Sequence, residues 1–302
     1  MFMYNVLAAM FNAMGDSGTP LYLLIFSSLL NVALDLLLVT CFGLGVAGVA
    51  VATVLAQGIS AVISFFLLRK KLSAYREETR DSRAFDGGML LKMVRVAIPT
   101  MLQQSIVSIG MLLVQSVVNG FGSSVLAGYT AGMRIESICI VPMIAMGNAV
   151  STFTAQNMGA GQPERVRAGY RAAYGIVAAF AVLICAVLLA GRYRIIGAFL
   201  ERDSSLAYTT GVSYVSFLAF FFVWIGLKAI TDGVLRGSGD VAVFTAANLA
   251  NLSIRVAVAN LCAPLWGVAA VWYAVPMGWA ANYLISFGRY LTGKWSEKKL
   301  IR

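Results

Sequence analysis

Apolar runs long enough to cross a bilayer fill most of this 302-residue chain, and the polar breaks between them are short. A membrane-spanning helix needs about 20 predominantly apolar residues. Runs of that kind lie at 20–42, 46–68, 96–119, 125–150, 172–190, 206–231, 241–263 and 265–288. Residues 1–14 read as the end of one more helix. The pattern predicts an all-α polytopic membrane protein with about eight full spans and one partial N-terminal helix.

One long polar run interrupts it. Arg69 to Lys92 holds 11 of the 36 charged residues. The segment before this hinge resembles the segment at the end of the chain. Ala13-Met14-Gly15-Asp16 opens an apolar stretch, as Gly237-Ser238-Gly239-Asp240 does. Adding 224 to the numbering carries Gly15-Asp16 onto Gly239-Asp240 and Asn31 onto Arg255. A two-residue slip then aligns Gly45-Val46-Ala47 with Gly267-Val268-Ala269. Both copies finish in a basic tail, at Arg69-Lys70-Lys71 and from Lys294 onward. Ordered internal repeats of this kind are typical of secondary transporters.

Composition narrows the class further. A chain that is 60% hydrophobic and 12% charged is too apolar for a soluble domain. The net charge of +10 could suggest nucleic acid, but its placement argues for topology instead. Lys and Arg number 17 in the hinge through Arg95, the loop at 165–171, Arg236 and the segment 289–302, all on one side of the predicted bundle. The opposite loops hold only Arg192, Arg194 and Arg202. The positive-inside rule therefore places the hinge and the C-terminus in the cytoplasm, in a multi-pass protein of the cell membrane. Membrane lipid, not nucleic acid, is the expected partner of the basic loops.

Absences exclude other chemistries. There is no histidine, which removes Ser-His-Asp and Cys-His nucleophile systems and histidine metal sites. Cys41, Cys139, Cys185 and Cys262 sit singly in apolar runs, at spacings wrong for zinc. No G-x-x-x-x-G-K-[ST] phosphate loop occurs. The sequence predicts no enzyme, no metal site and no organic cofactor.

The turn Gly15-Asp16-Ser17-Gly18-Thr19-Pro20, followed by an apolar run with Asn31 and Asp35, resembles the first lobe of multidrug and toxic compound extrusion (MATE) transporters. So do Ala131-Gly132-Met133-Arg134-Ile135-Glu136 and the later Ala155-Gln156-Asn157-Met158-Gly159-Ala160-Gly161-Gln162. Leu235-Arg236-Gly237-Ser238-Gly239-Asp240 is similar to the second-lobe turn of that family. The resemblance implies two six-helix lobes and export of small organic compounds, mainly cations, by proton- or sodium-coupled antiport. It implies residues 1–68 as the remnant of the N-terminal lobe, 69–88 as the cytoplasmic inter-lobe loop and 89–302 as the C-terminal lobe. About 135 residues, three helices and most of a fourth, are then missing from the front, and a complete transporter needs them. The family's first-helix carboxylate goes with them. Its second-lobe acidic pair is not recognisable, because the run at 96–119 has Gln104, Ser108 and Gln115 but no acid.

Charges inside spans cost about 2.5–3.5 kcal/mol on insertion scales and so mark candidates. Glu136 is the first expected cation-coupling carboxylate and Asp35 the second. Helical spacing places Ser28, Asn31 and Asp35 on one face, and Asn248, Asn251 and Arg255 on another. Gln104, Ser108, Gln115 and Asn119 form an uncharged polar face. These residues and Arg134 are cavity or substrate candidates, and interhelical hydrogen bonds are the alternative reading of each. Lys228 and Asp232 are gate candidates, with a lysine reaching for the interface as the alternative. Phe217, Phe220, Phe221, Phe222, Trp224 and Trp272 could cradle organic cations or simply face lipid. A rival to drug export is a flippase of the same superfold, moving lipid-linked precursors through a cavity made cationic by Arg134, Lys228 and Arg255. A non-transporting fragment is the other.

Overall fold

The computed structural model describes residues 2–73, 85–201 and 205–297. Residues 74–84, at the centre of the predicted hinge, and the end of the basic tail at 298–302 lie outside that description. The helices are α1 (Phe2–Ala13), α2 (Gly18–Leu36), α3 (Gly45–Ser73), α4 (Gly87–Asn119), α5 (Ser123–Gly159), α6 (Pro163–Ile196), α7 (Leu206–Leu218), α8 (Phe222–Gly237), α9 (Val241–Trp266) and α10 (Ala269–Leu291). The described residues contain no strand. Two compact units emerge, Met1–Asp86 with α1–α3 and Gly87–Arg302 with α4–α10.

Among the described residues, seven stretches are long and apolar enough to cross a membrane. The eighth predicted span corresponds to α10, which falls below the others in hydropathy. Trp272, Pro276, Trp279 and Asn282 lower its average, yet much of the helix is buried within its unit. Two departures from regular helix were not predicted. Leu37–Cys41 continues α2 as a π-helical turn, and the span at 206–237 breaks at a 3-10 turn over Ala219–Phe221. Interruptions of both kinds occur in membrane helices where function needs backbone off its regular path.

The repeated turns share one backbone conformation. Gly15 has φ 80° and Gly239 φ 81°, in the left-handed region where glycine lacks the penalty of a Cβ. Asp16 N–H donates to Phe11 O (3.0 Å), and Asp240 N–H donates to Leu235 O (2.8 Å). Met14 N–H and Ser238 N–H make the matching bonds to Met10 O and Val234 O. This is the left-handed glycine stop that satisfies the last carbonyls of a helix.

The aspartate after each glycine does more than end the turn. Asp16 caps the start of α2. It accepts from Thr19 N–H (3.0 Å) and Thr19 Oγ1 (2.8 Å), and it pairs with Lys71 at the end of α3 (2.5 Å). A carboxylate at a helix N-terminus satisfies free N–H groups and meets the positive end of the helix dipole. Asp240, 1% exposed, pairs with Arg289 at the end of α10 (2.5 Å). Each hairpin is therefore closed at its base by an aspartate and a cation from its far end.

Glycines set the spacing in the larger unit. A Cβ on Gly128 would lie 2.2 Å from Ala207 O, and one on Gly132 2.4 Å from a Tyr214 ring carbon. One on Gly147 would lie 2.6 Å from Ala229 O, and one on Gly233 2.5 Å from Gly147 O. Lipid offers no hydrophobic gain for helix contact, so close backbone approach between small residues supplies the dispersion that holds α5 to α7 and α8.

Two predictions follow from this packing. Gly233→Ala destabilises the protein by about 1–3 kcal/mol, since only backbone can yield. Gly175→Ala, with nothing within 4 Å of the added carbon, does not; thermal melting in detergent compares them. The hydrogen bond from Lys71 and those from Thr19 hold the Asp16 carboxyl well below its ordinary pKa. Its capping contribution is thus complete above the unfolded value of about 3.9 and is lost as pH falls through the lower folded value. Acid melting profiles of wild type and Asp16→Asn should separate at neutral pH and converge in strong acid.

Candidate functional site

Polar groups gather at three places inside the apolar helices. The first is in the smaller unit. A cavity of about 300 Å³ is lined by Tyr4 and Asn5 of α1, Ser28 and Asn31 of α2, and Thr53 and Gln57 of α3. Asn31 Nδ2 donates to Thr53 Oγ1 (3.4 Å), which itself donates to Val49 O (3.0 Å). Asp35 stands one turn beyond Asn31, just before the π-helical turn. Its Oδ1 is buried with no hydrogen-bond partner among the described residues. A buried carboxylate oxygen left in this state has an unmet demand for a proton or a cation.

The second cluster surrounds Glu136 in the larger unit. Tyr214 Oη of α7 donates to Glu136 Oε2 of α5. The Tyr214 ring packs edge-to-face on Tyr129 (5.3 Å between centroids) and on Trp272 of α10 (6.0 Å). Arg255 lies on α9, where a Cβ added to Gly278 of α10 would fall 2.8 Å from its Cγ. It forms no ion pair with Glu136, and its Nε–H is buried without a partner among the described residues. Asn251 Oδ1, one turn away on α9, and Trp272 Nε1 are likewise buried and unpartnered. Arg134 points elsewhere and is exposed, as its two-residue offset from Glu136 requires.

The third cluster joins α8, α9 and α10. Lys228 Nζ pairs with Asp232 Oδ2 (3.0 Å), with side chains 14% and 8% exposed. Asn248 Nδ2 donates to the same oxygen (3.3 Å), and Ser286 Oγ donates to Asp232 Oδ1 (2.7 Å). Lys228 therefore turns inward to its partner and does not reach for the interface. The spacing of four residues made this pair legible; Ser286 carried no signal of its own.

The uncharged face of α4 has a different fate. Gln104, Ser108, Gln115 and Asn119 are all exposed within the unit. The buried face is Gln103, Gly110, Val114 and Val118, and Thr245 Oγ1 of α9 donates to Gln103 Oε1 (3.3 Å). Sequence reasoning missed Gln103, one residue from the predicted face. The residue at which an extra carbon would strike Leu252, Gly110, marks the true contact side. The aromatic residues Phe217, Phe221, Trp224 and Tyr273 line a separate apolar groove of about 780 Å³, while Trp272 belongs to the Glu136 cluster.

Comparisons with known proteins complete the picture. A family model described as MatE matches residues 99–261, and one described as Lipid II flippase MurJ matches residues 1–130. The chain is 30% identical over 303 residues to the "Probable multidrug resistance protein YpnP" of Bacillus subtilis, covering 99% of this chain and 66% of that protein. It is 25% identical over 259 residues to a "FAD transporter" of Shewanella oneidensis, covering 82% of this chain and 52% of that one. A solved structure of an outward-facing multidrug resistance MATE family transporter of the MOP superfamily matches with a TM-score of 0.86 at 22% identity, covering 97% of this chain and 66% of that one. The chain thus spans about two thirds of the length of these first relatives.

The Asp232 network makes a direct prediction. Asp232→Asn strands a buried lysine and costs about 3–5 kcal/mol. The double change Lys228→Met with Asp232→Leu recovers most of that loss, which thermal melting of the three variants reads out.

Proposed function

The chain belongs to the MATE family of multidrug transporters, and on that premise we propose that it serves secondary active export of small organic compounds, driven by proton or sodium antiport. The observation that carries this reading is Asp35, one turn beyond the cavity residue Asn31, whose buried carboxylate oxygen has no partner among the described residues. Asp35 takes the coupling ion. Oxygen ligands from a carboxylate, an amide and a hydroxyl suit a hard cation, and the carboxylate alone suits a proton. Glu136, held by Tyr214, is the second coupling group. Antiport then requires that ion and substrate bind the two facings of the transporter with different affinity.

Residues 1–68 belong to one lobe and 89–302 to the other, with the hinge between them. The excess of basic residues in the hinge and after Arg289 supports a cytoplasmic position for both, in the plasma membrane. Substrates are organic compounds, as the names of the multidrug resistance relatives suggest. The MurJ match over 1–130 favours a second reading, transfer of lipid-linked precursors, in which Arg134 and Arg255 would meet anionic head groups.

Ion-driven uptake of a fluorescent organic cation into everted vesicles containing the full chain tests the first reading. Asp35→Asn should lower the ion-dependent rate by at least about tenfold, and Glu136→Gln should lower it less. Uptake that is unchanged in both variants, in proton and in sodium gradients, would overturn the coupling assignment.

A further inference from the structure

Several cations are answered from within the fold. Lys71 has Asp16, Lys228 has Asp232, Arg289 has Asp240, and Arg236 donates to Asn148 Oδ1 (2.7 Å). A group of exposed cations in the larger unit is answered only in part. Arg165, Arg167 and Arg171 lie on the first turns of α6, and Lys294 opens a 3-10 turn, Lys294–Glu297, that follows α10. Glu164 pairs with Arg167 (2.8 Å), and Arg165 donates to Gln162 Oε1 (3.2 Å). Arg171 and Lys294 have no acid within ion-pair distance among the described residues.

Aromatic packing brings the two segments to one place. Trp295 is 1% exposed, its Nε1–H donates to Tyr290 O (3.0 Å), and its ring stacks on Tyr290 (5.6 Å between centroids). Tyr290 of α10 in turn packs on Tyr170 of α6 (4.3 Å), whose hydroxyl meets Thr231 Oγ1 (2.9 Å). A Cβ added to Gly293 would lie 3.9 Å from Arg167 Nη2. Arg171 is four residues on from Arg167 and so shares its side of α6. Burial of one indole thus folds a basic turn against an already basic helix start. Like charges gathered in this way repel, with Glu164 and Glu297 as the acids on these two segments. An anion seated between α6 and the turn removes that repulsion.

We infer that Arg167, Arg171 and Lys294 form a docking surface for the head group of an anionic phospholipid. The patch lies where two membrane-length helices stop, α6 at its start and α10 at its end, and the basic excess marks this end as the cytoplasmic one. The phosphates of anionic lipids stand at that level of the inner leaflet. Guanidinium groups match phosphate oxygens with a planar fork, and an ammonium adds a point charge. Tyr174, three residues inward from Arg171 on α6, is 45% exposed, as an aromatic facing the membrane interface would be. This goes beyond the export reading, which assigns no role to α6 or to the turn after α10.

The test is equilibrium binding to the purified full chain in neutral detergent, read by calorimetry. The probes are short-chain phosphatidylglycerol, the matching phosphatidylcholine and inorganic phosphate. Phosphatidylglycerol should bind at least about tenfold more tightly than either of the others. Arg171→Gln and Lys294→Gln should each weaken that binding about fivefold, and together about 25-fold, without moving the lipid-free melting temperature. Trp295→Ala keeps every charge but frees the turn, so it should weaken binding, whereas Trp295→Phe should not. Should Trp295→Ala fail to fold, the two exposed-side-chain variants decide the question. Lys70→Gln, exposed at the end of α3, is the control for diffuse attraction and should leave binding unchanged. Equal binding of the two lipids, phosphate binding as tight as that of phosphatidylglycerol, or a loss in Lys70→Gln as large as in Lys294→Gln would overturn the proposal. Because no transport is measured, such a failure leaves ion coupling at Asp35 untouched.

Discussion

A charge placed among apolar helices must find a partner, and that constraint organises this protein more than any other. Lys228 and Asp232 meet it by tying three helices together, with Asn248 and Ser286 completing the carboxylate. A buried ion pair of this kind adds little net stability compared with apolar residues of the same volume. What it does is penalise any arrangement of α8, α9 and α10 that separates its members. The pairs Asp16–Lys71 and Asp240–Arg289 apply the same logic at the base of each hairpin; water lowers the penalty for failure at Asp16 but not at the buried Asp240.

Against that background the unsatisfied groups stand out. The larger unit packs closely, with glycines admitting backbone to backbone and its polar interior largely bonded. Packing of this density leaves few places where a donor or acceptor can go unpaired without consequence. Asp35, Asn251, Arg255 and Trp272 nevertheless carry buried unpaired atoms, and each comes from a helix that also contributes to a polar cluster. Transporters require such residues. A group fully satisfied by its own protein has no differential affinity left for an ion or a substrate, and nothing then shifts between states.

Much of the architecture could be read from the sequence because it depends on local properties. Hydropathy located the helices, since each span must be apolar along its own length. The two glycine–aspartate turns were visible because a left-handed stop needs the same short motif wherever it occurs. What escaped was tertiary. Nothing local to Asp16 names Lys71, 55 residues away, as its partner. Helical spacing grouped Gln104 with Ser108, Gln115 and Asn119, which stay exposed within the unit, while Gln103 faces α9; only the neighbour decides which side of an apolar helix is buried. The break at Ala219–Phe221 has no proline to announce it. Tyr214 was overlooked as one more aromatic in an aromatic-rich span, though it holds the one acid that sequence had ranked first.

The two carboxylates in spans are therefore not equivalent, and the repeat makes the contrast sharper. The numbering shift that superposes the turns places Arg255 at the position of Asn31. In the smaller unit that position is a neutral amide one turn before a carboxylate whose Oδ1 has no partner among the described residues. In the larger unit it is a guanidinium whose Nε–H has none among them either. The same shift places Ala259 at the position of Asp35, so the amide and carboxylate of one repeat stand where the other has a guanidinium and a methyl group. The acid of the larger unit, Glu136, comes from α5, outside the repeated hairpin. Two copies of one hairpin have thus diverged in their intramembrane polar groups, and in their backbone too, since α2 runs on into a π-helical turn and α9 stays α-helical over Val241–Trp266.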